Sequence, residues 1–190
     1  MIRLLIVDDH PAMRAGLTAV LRAEPGIVPL GTASGADDLE PVLRRTQPDI
    51  VLLDYHLPGA DGLQLCRQLK RRTPAPGVLL YSAWADASLV VPAILAGADG
   101  LMNKSAPAPE LYDALRSIHR GERVLPPVPN ELREAAAAKL PPEDLPILSM
   151  ALDGVPHGEI ASTLRIDPGE LSRRVDAMIG ALRVEVPASA

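Results

Sequence analysis

Phenylalanine is absent from these 190 residues, and aromatic content is one Trp and three Tyr. Lysine is scarce as well, 3 against 16 Arg, in a chain with 20 Pro. This is read as compositional bias without functional weight. Cysteine occurs once, at Cys66, which excludes an intramolecular disulfide framework and a multi-cysteine zinc site. No apolar run approaches the about 18 residues of a membrane span. The start, Met1-Ile2-Arg3-Leu4-Leu5-Ile6-Val7-Asp8, turns acidic too soon for a secretory signal. A cytoplasmic protein with no membrane partner is expected.

Excess positive charge is missing too. The net charge is −5. Residues 1–120 hold 12 Lys+Arg against 13 Asp+Glu, net −1, and residues 121–190 hold 7 against 11, net −4. A segment that grips DNA phosphates is usually basic, so the C-terminal part is unusual for that role. What the chain does have is apolar material, 47% of residues against 23% charged. That suffices for a core and excludes a disordered chain. At about 150 residues per domain, the length fits one domain of about 120 residues with a small appendage.

Short apolar runs at 2–7, 27–31, 50–53, 78–81 and 100–102 alternate with helix-period stretches at 11–23, 35–46, 62–71, 88–96 and 107–120. Five strand–helix repeats specify βαβ units and a parallel sheet. Ile50-Val51-Leu52-Leu53 is apolar without alternation, as a strand covered on both faces requires. Pro92 is costly inside a helix, so the fourth helix is expected to start near Val91, after a longer loop. Trp84, in that loop, is read as packing on the fourth helix, with a lid over the strand-end pocket as the alternative. Cys66 falls on an apolar helix face and is read as a small core residue.

Beyond Gly121 the composition changes. Pro126-Pro127-Val128-Pro129 reads as a stiff linker. A helix is expected over 130–140 with Asn130 as N-cap. Three short helices follow at 142–152, 156–164 and from Asp167-Pro168-Gly169-Glu170 onward. Asp167 is the expected N-cap of the last, with Pro168 at its first position. Three helices of this length suit a helix-turn-helix.

Ligands of an open parallel sheet sit beyond the carboxyl ends of its strands. Asp8 and Asp9 end the first strand, Asp54 the third, Ser82 the fourth and Lys104 the fifth. Three close carboxylates call for a hard cation, and Mg²⁺ needs only one or two of them. A phosphoryl group then meets an Asp nucleophile, with cation and lysine spreading its charge.

Val7-Asp8-Asp9-His10-Pro11-Ala12-Met13-Arg14-Ala15-Gly16-Leu17 resembles the start of a bacterial response-regulator receiver of the NarL/LuxR subfamily. Asp49-Ile50-Val51-Leu52-Leu53-Asp54-Tyr55-His56-Leu57-Pro58-Gly59-Ala60-Asp61-Gly62 resembles its phosphorylation segment. Ser82 and Gly97-Ala98-Asp99-Gly100-Leu101-Met102-Asn103-Lys104 complete the pattern. The resemblance implies that Asp54 accepts a phosphoryl group from a sensor histidine kinase. It implies Mg²⁺ on Asp9, Asp54 and the main-chain carbonyl of His56, with Asp8 assisting. Lys104 contacts the phosphoryl oxygens, and Ser82 turns inward as the switch. His10 offers a possible metal ligand, although its counterpart in that family usually is not one, and the His56 side chain is expected to face solvent. The family's strand-five aromatic is replaced by Leu101 and Met102, so an aromatic switch is not expected. Ser105 stands where proline often follows the lysine. Haloacid-dehalogenase-type phosphatases share an Asp nucleophile on a related sheet, but need Asp-x-Asp where this chain has Asp8-Asp9-His10.

Residues 140–183 resemble the LuxR-type helix-turn-helix. Its apolar positions survive as Leu145, Ile147, Leu148, Ile160, Ala161, Leu164, Ile166, Leu171, Val175, Met178, Ile179 and Leu182. Its DNA-facing positions have changed: Thr to Glu170, Lys to Ser172, His to Arg174. Candidate DNA contacts are Arg165, Glu170, Ser172, Arg173 and Arg174.

The sequence therefore predicts an α/β chain: a (βα)₅ doubly wound receiver at 1–120, a linker with a helix at 121–139, and a small all-α helix-turn-helix domain at 140–185. Expected is a non-enzymatic, homodimeric two-component response regulator that controls transcription through DNA. The alternative is a receiver whose degenerate helix-turn-helix binds protein rather than specific DNA.

Overall fold

A computed structural model describes residues 1–83 and 85–183. Trp84, with the reading attached to it, lies outside the described residues. The chain forms two compact units, Met1–Ala85 with Gly97–Leu125, and Asp86–Ala96 with the chain from Pro126 onward.

The first unit is a five-stranded parallel sheet. In chain order it holds β1 (Ile2–Val7), α1 (Pro11–Ala23), β2 (Ile27–Ala33), α2 (Ala36–Thr46), β3 (Ile50–Leu53), β4 (His56–Leu57), β5 (Ala60–Asp61), α3 (Gly62–Lys70) and β6 (Gly77–Ser82). After α4 (Ala87–Ala96) come β7 (Gly100–Asn103) and α5 (Ala108–His119). The sheet order is β2-β1-β3-β6-β7. Alternate strand residues face opposite sides. Leu4, Ile6, Leu52 and Leu79 form one core with Leu17 and Leu21 of α1 and Leu111, Leu115 and Ile118 of α5. Pro29, which has no N–H to donate, sits in the edge strand β2, where the β1–β2 register shifts between Leu4 and Leu5. β4 and β5 form a two-residue antiparallel pair that the apolar pattern did not signal.

Two helix starts differ from the sequence reading. α4 begins at Ala87 and carries Pro92 in its interior. Proline there removes one backbone hydrogen bond, at a cost of about 3 kcal/mol. Eight consecutive residues, Leu89–Ala96, are buried, and that burial offsets the loss. Asn130 is the first residue of α6 (Asn130–Ala137), and the N-cap is Pro129, which has no side-chain cap bond. Among the described residues the cis peptide bond is Thr73–Pro74, so the Lys104–Ser105 bond is trans.

The second unit is helical. α4 packs with α6, α7 (Leu145–Leu152) and α9 (Pro168–Leu182). α8 (His157–Leu164) leads into α9 through a tight turn. Arg165 takes the left-handed conformation at φ 54°, and the Ile166 N–H donates to the Ala161 carbonyl at 3.0 Å, closing α8. Asp167 Oδ2 accepts the N–H groups of Gly169 at 2.9 Å and Glu170 at 3.1 Å, opening α9 as the sequence predicts. The predicted apolar positions are mostly buried. Leu145 is the exception, an exposed residue at the first position of α7. Leu164 and Ile166 are half-buried.

Candidate functional site

The parallel register builds the rim. Val7 pairs with Leu53, so Asp8 and Asp54 leave β1 and β3 side by side, at the point where the strand order reverses. The Asp54 N–H donates to the Val7 carbonyl at 2.8 Å and fixes the pair. Ser82 pairs with Asn103, and the Lys104 N–H donates to the Ser82 carbonyl at 2.9 Å, so Lys104 emerges beside them. Gly62 must be glycine here. A Cβ at that position would stand 2.5 Å from the Asp54 carbonyl oxygen and 2.6 Å from the Tyr55 Cα.

Asp8 and Asp54 are 2% and 4% exposed. Lys104 Nζ bridges them, at 2.6 Å from Asp8 Oδ2 and 2.7 Å from Asp54 Oδ2. Asp54 Oδ1 accepts the His56 N–H at 3.3 Å, and Asp8 Oδ1 accepts the His10 N–H at 2.8 Å. Burial pushes the Asp54 carboxyl above the ordinary range, and the nearby Asp8 charge adds to it, against the downward pull of Lys104. Burial opposes the Lys104 charge, but hydrogen bonds and charges from Asp54 and Asp8 outweigh it and raise its pKa. Ser82 is fully buried at the end of β6.

Asp8, Asp9, His10 and Asp54 each offer a ligand atom, and these atoms lie within 4.8 Å of one another. Asp9 Oδ1 is buried and accepts no hydrogen bond. This oxygen-rich set of carboxylates fits a divalent cation. An open cavity of ≈ 300 Å³ adjoins the rim, lined by Asp9, Tyr55, His56 and Asp61 among others. The His56 side chain is exposed there, as expected. A larger cavity of ≈ 390 Å³ lies at the opposite strand ends, beside Arg3, Asp49 and His119, far from these groups.

The structure thus brings Asp8, Asp9, Asp54 and Lys104 together and sets Ser82 on the adjoining strand end. Two further residues stand at the rim, His10, which the sequence offered only as a possible ligand, and Tyr81, which it did not offer. His10 stands against the carboxylates, with Nδ1 2.6 Å from Asp9 Oδ1. Tyr81 donates its hydroxyl to the Lys104 carbonyl at 3.3 Å. The signal for Tyr81 was its place one residue before Ser82. Leu101 is buried and Met102 half-buried. Cys66 is wholly buried, which pushes its thiol up to about 12.

The candidate DNA residues divide. Arg174, only 21% exposed, is bound within the domain: Nε donates to Asp144 Oδ1 at 2.6 Å, and an η nitrogen donates to the Glu143 carbonyl. Arg173 is 73% exposed and pairs with Glu170 at 2.5 Å. Arg165 is exposed at the end of α8, and Ser172 is half-buried. Among the described residues no helix is long and apolar enough to cross a membrane.

Residues 4–116 match the response regulator receiver domain family. The transcriptional regulatory protein LiaR of Bacillus subtilis (strain 168) is 33% identical over 176 residues, spanning 87% of this chain and 83% of LiaR. The nitrate/nitrite response regulator protein NarL of Escherichia coli (strain K12) is 28% identical over 193 residues, spanning 96% of this chain and 89% of NarL. A solved two-component response regulator of the LuxR family from Aurantimonas sp. SI85-9A1 superposes with a TM-score of 0.64 at 30% identity, covering 72% of this chain and 99% of that one. The chain thus belongs to the response regulators, in their NarL/LuxR group.

Proposed function

We propose that Asp54 takes a phosphoryl group from a phosphohistidine of a sensor histidine kinase, and that the modified chain controls transcription by binding DNA as a homodimer. The observation that carries the reading is the Lys104 ammonium bridging two buried carboxylates at the strand-order reversal. An Asp54 oxygen attacks phosphorus, the P–N bond of the phosphohistidine breaks, and the electron pair leaves with the imidazole. Lys104, already 2.7 Å from Asp54, turns its N–H donors to the phosphoryl oxygens. The Ser82 hydroxyl meets the phosphoryl group and carries the switch. Water later attacks the acyl phosphate and restores the carboxylate, so the chain handles only its own phosphoryl group.

Asp8, Asp9, Asp54 and the His56 carbonyl would hold Mg²⁺. When bound, it offsets the negative charge gathered on the carboxylates and the phosphoryl oxygens.

Support for DNA as the partner comes from LiaR, a transcriptional regulatory protein similar over most of its length, and from the helix-turn-helix at α8–α9. Protein binding alone has no comparable support. Cytoplasmic placement accords with a kinase partner of this kind.

The test is intact mass after incubation with Mg²⁺ and a small phosphodonor. Wild type gains one phosphoryl group and Asp54→Asn gains none. Equal gain by both would remove Asp54 from the role.

A further inference from the structure

We propose that α4 is a working part of the DNA-reading unit: the helix-turn-helix binds DNA only with α4 in its core, so loosening α4 lowers DNA affinity instead of raising it. The inference rests on the reading that α8–α9 binds DNA.

The residues of α4 set the requirement. Ala87-Ser88-Leu89-Val90-Val91-Pro92-Ala93-Ile94-Leu95-Ala96 contains no charged side chain and one hydroxyl. A helix that is apolar on every side must be covered on every side. α1 shows the contrast: it carries Arg14, Thr18 and Arg22 and buries only Leu17 and Leu21. In α4 every residue from Leu89 to Ala96 is buried.

The cover comes from the C-terminal helices. Although α4 is written between β6 and β7, it belongs to the unit that continues from Pro126. It packs most extensively with α9, then with α7 and α6. α9 buries Leu171, Val175, Met178 and Leu182 along one face. Its opposite side exposes Arg173, so the seating of the buried face decides where that cation points.

Size makes the added helix matter. From α6 to α9 the unit has α-helices of only 8, 8, 8 and 15 residues. A domain of about 60 residues buries too small a share of its surface to be more than marginally stable alone. α4 brings Leu89, Val90, Val91, Ile94 and Leu95 to that core. Four residues join Ser82 to Ala87 and three join Ala96 to Gly100, so strands of the sheet tether α4 at both ends. The receiver thereby supplies a permanent component of the helical unit.

The full-length protein is studied by hydrogen exchange with mass spectrometry and by titration of a labelled random-sequence DNA duplex at low salt. Wild type is compared with Leu95→Ala and Leu21→Ala. Both leucines are fully buried, Leu95 in α4 and Leu21 in the sheet core. Leu95→Ala speeds exchange in α7 and α9 and leaves β1 and β3 as in wild type. It weakens DNA binding about tenfold, as the share of chains with α9 seated falls to about a tenth. Leu21→Ala binds DNA within about twofold of wild type. Where Leu95→Ala yields no folded protein, Ile94→Val, which removes one methylene, gives the same ordering with smaller changes. Unchanged exchange in α7 and α9 overturns the place of α4 in that core. Faster exchange with equal or tighter DNA binding overturns the requirement, and equal weakening by Leu21→Ala overturns its assignment to α4. A wild type that binds no DNA overturns the DNA reading and this requirement together, and is told apart from the other failures by the wild-type titration alone.

Discussion

Asp54 is held at odds with the fold's own stability. Its pKa in the folded protein is raised, chiefly by burial, above the value in the unfolded chain. Stability from this group is present below the ordinary carboxylate range and is lost as pH rises through the folded value. Asn has the same shape and no charge, so Asp54→Asn should unfold at a higher temperature than wild type near neutral pH, by about 2–4 °C in cation-free buffer. The difference should vanish below the ordinary carboxylate range. Thermal unfolding at the two pH values checks it, and a wild type more stable at neutral pH would contradict the burial argument. The sequence supplied the carboxylates and the lysine, because strand ends are legible from apolar runs. It offered His10 as a possible ligand but not the contact of its ring with Asp9, because that contact depends on how the α1 cap aims one side chain.

The helices show how far local signals reach. Asp167-Pro168 is a self-contained cap, and the structure forms it with two backbone hydrogen bonds to Asp167 Oδ2. Asp167→Ala should cost about 1 kcal/mol of helical-unit stability. Urea unfolding followed by circular dichroism reads the change, and an unchanged midpoint would count against the cap. α4 is the opposite case. Its sequence lies between β6 and β7, yet it packs with α6, α7 and α9. A fragment beginning at Pro126 lacks that helix and uncovers apolar surface on its partners. Amide exchange in α9 should accordingly be faster in the fragment than in the full chain. Equal protection would mean that α4 contributes little there. Pro92 misled the reading of α4 because proline's helix penalty is local, whereas the burial that offsets it is tertiary.

The whole molecule binds DNA, on the reading above, with an acidic helical segment. The sequence offers four arginines in 140–185. Arg174 is half-buried against Asp144, whereas Arg165, Arg173, which pairs with Glu170, and Arg183 lie exposed. At about −0.9 per phosphate contact, the slope of log affinity against log salt should be no steeper than about −3 per protomer. Binding of the full-length protein to a promoter fragment across a salt series measures it. A steeper slope would mean that cations outside the helix-turn-helix touch the backbone. The sequence by itself determined the five βα repeats, the order of polar residues at the strand ends and the apolar pattern of the C-terminal helices. Each of these is written within about ten residues, where the period of apolar positions and the cap and turn residues act. Only the tertiary structure decided that Arg174 stabilises the fold, that α4 joins the C-terminal helices and that Tyr81 holds the Lys104 carbonyl. Those partners lie 30 residues apart for Arg174 and Asp144 and 23 for Tyr81 and Lys104. At such separations the choice among competing partners depends on how the whole chain packs, which no local pattern encodes.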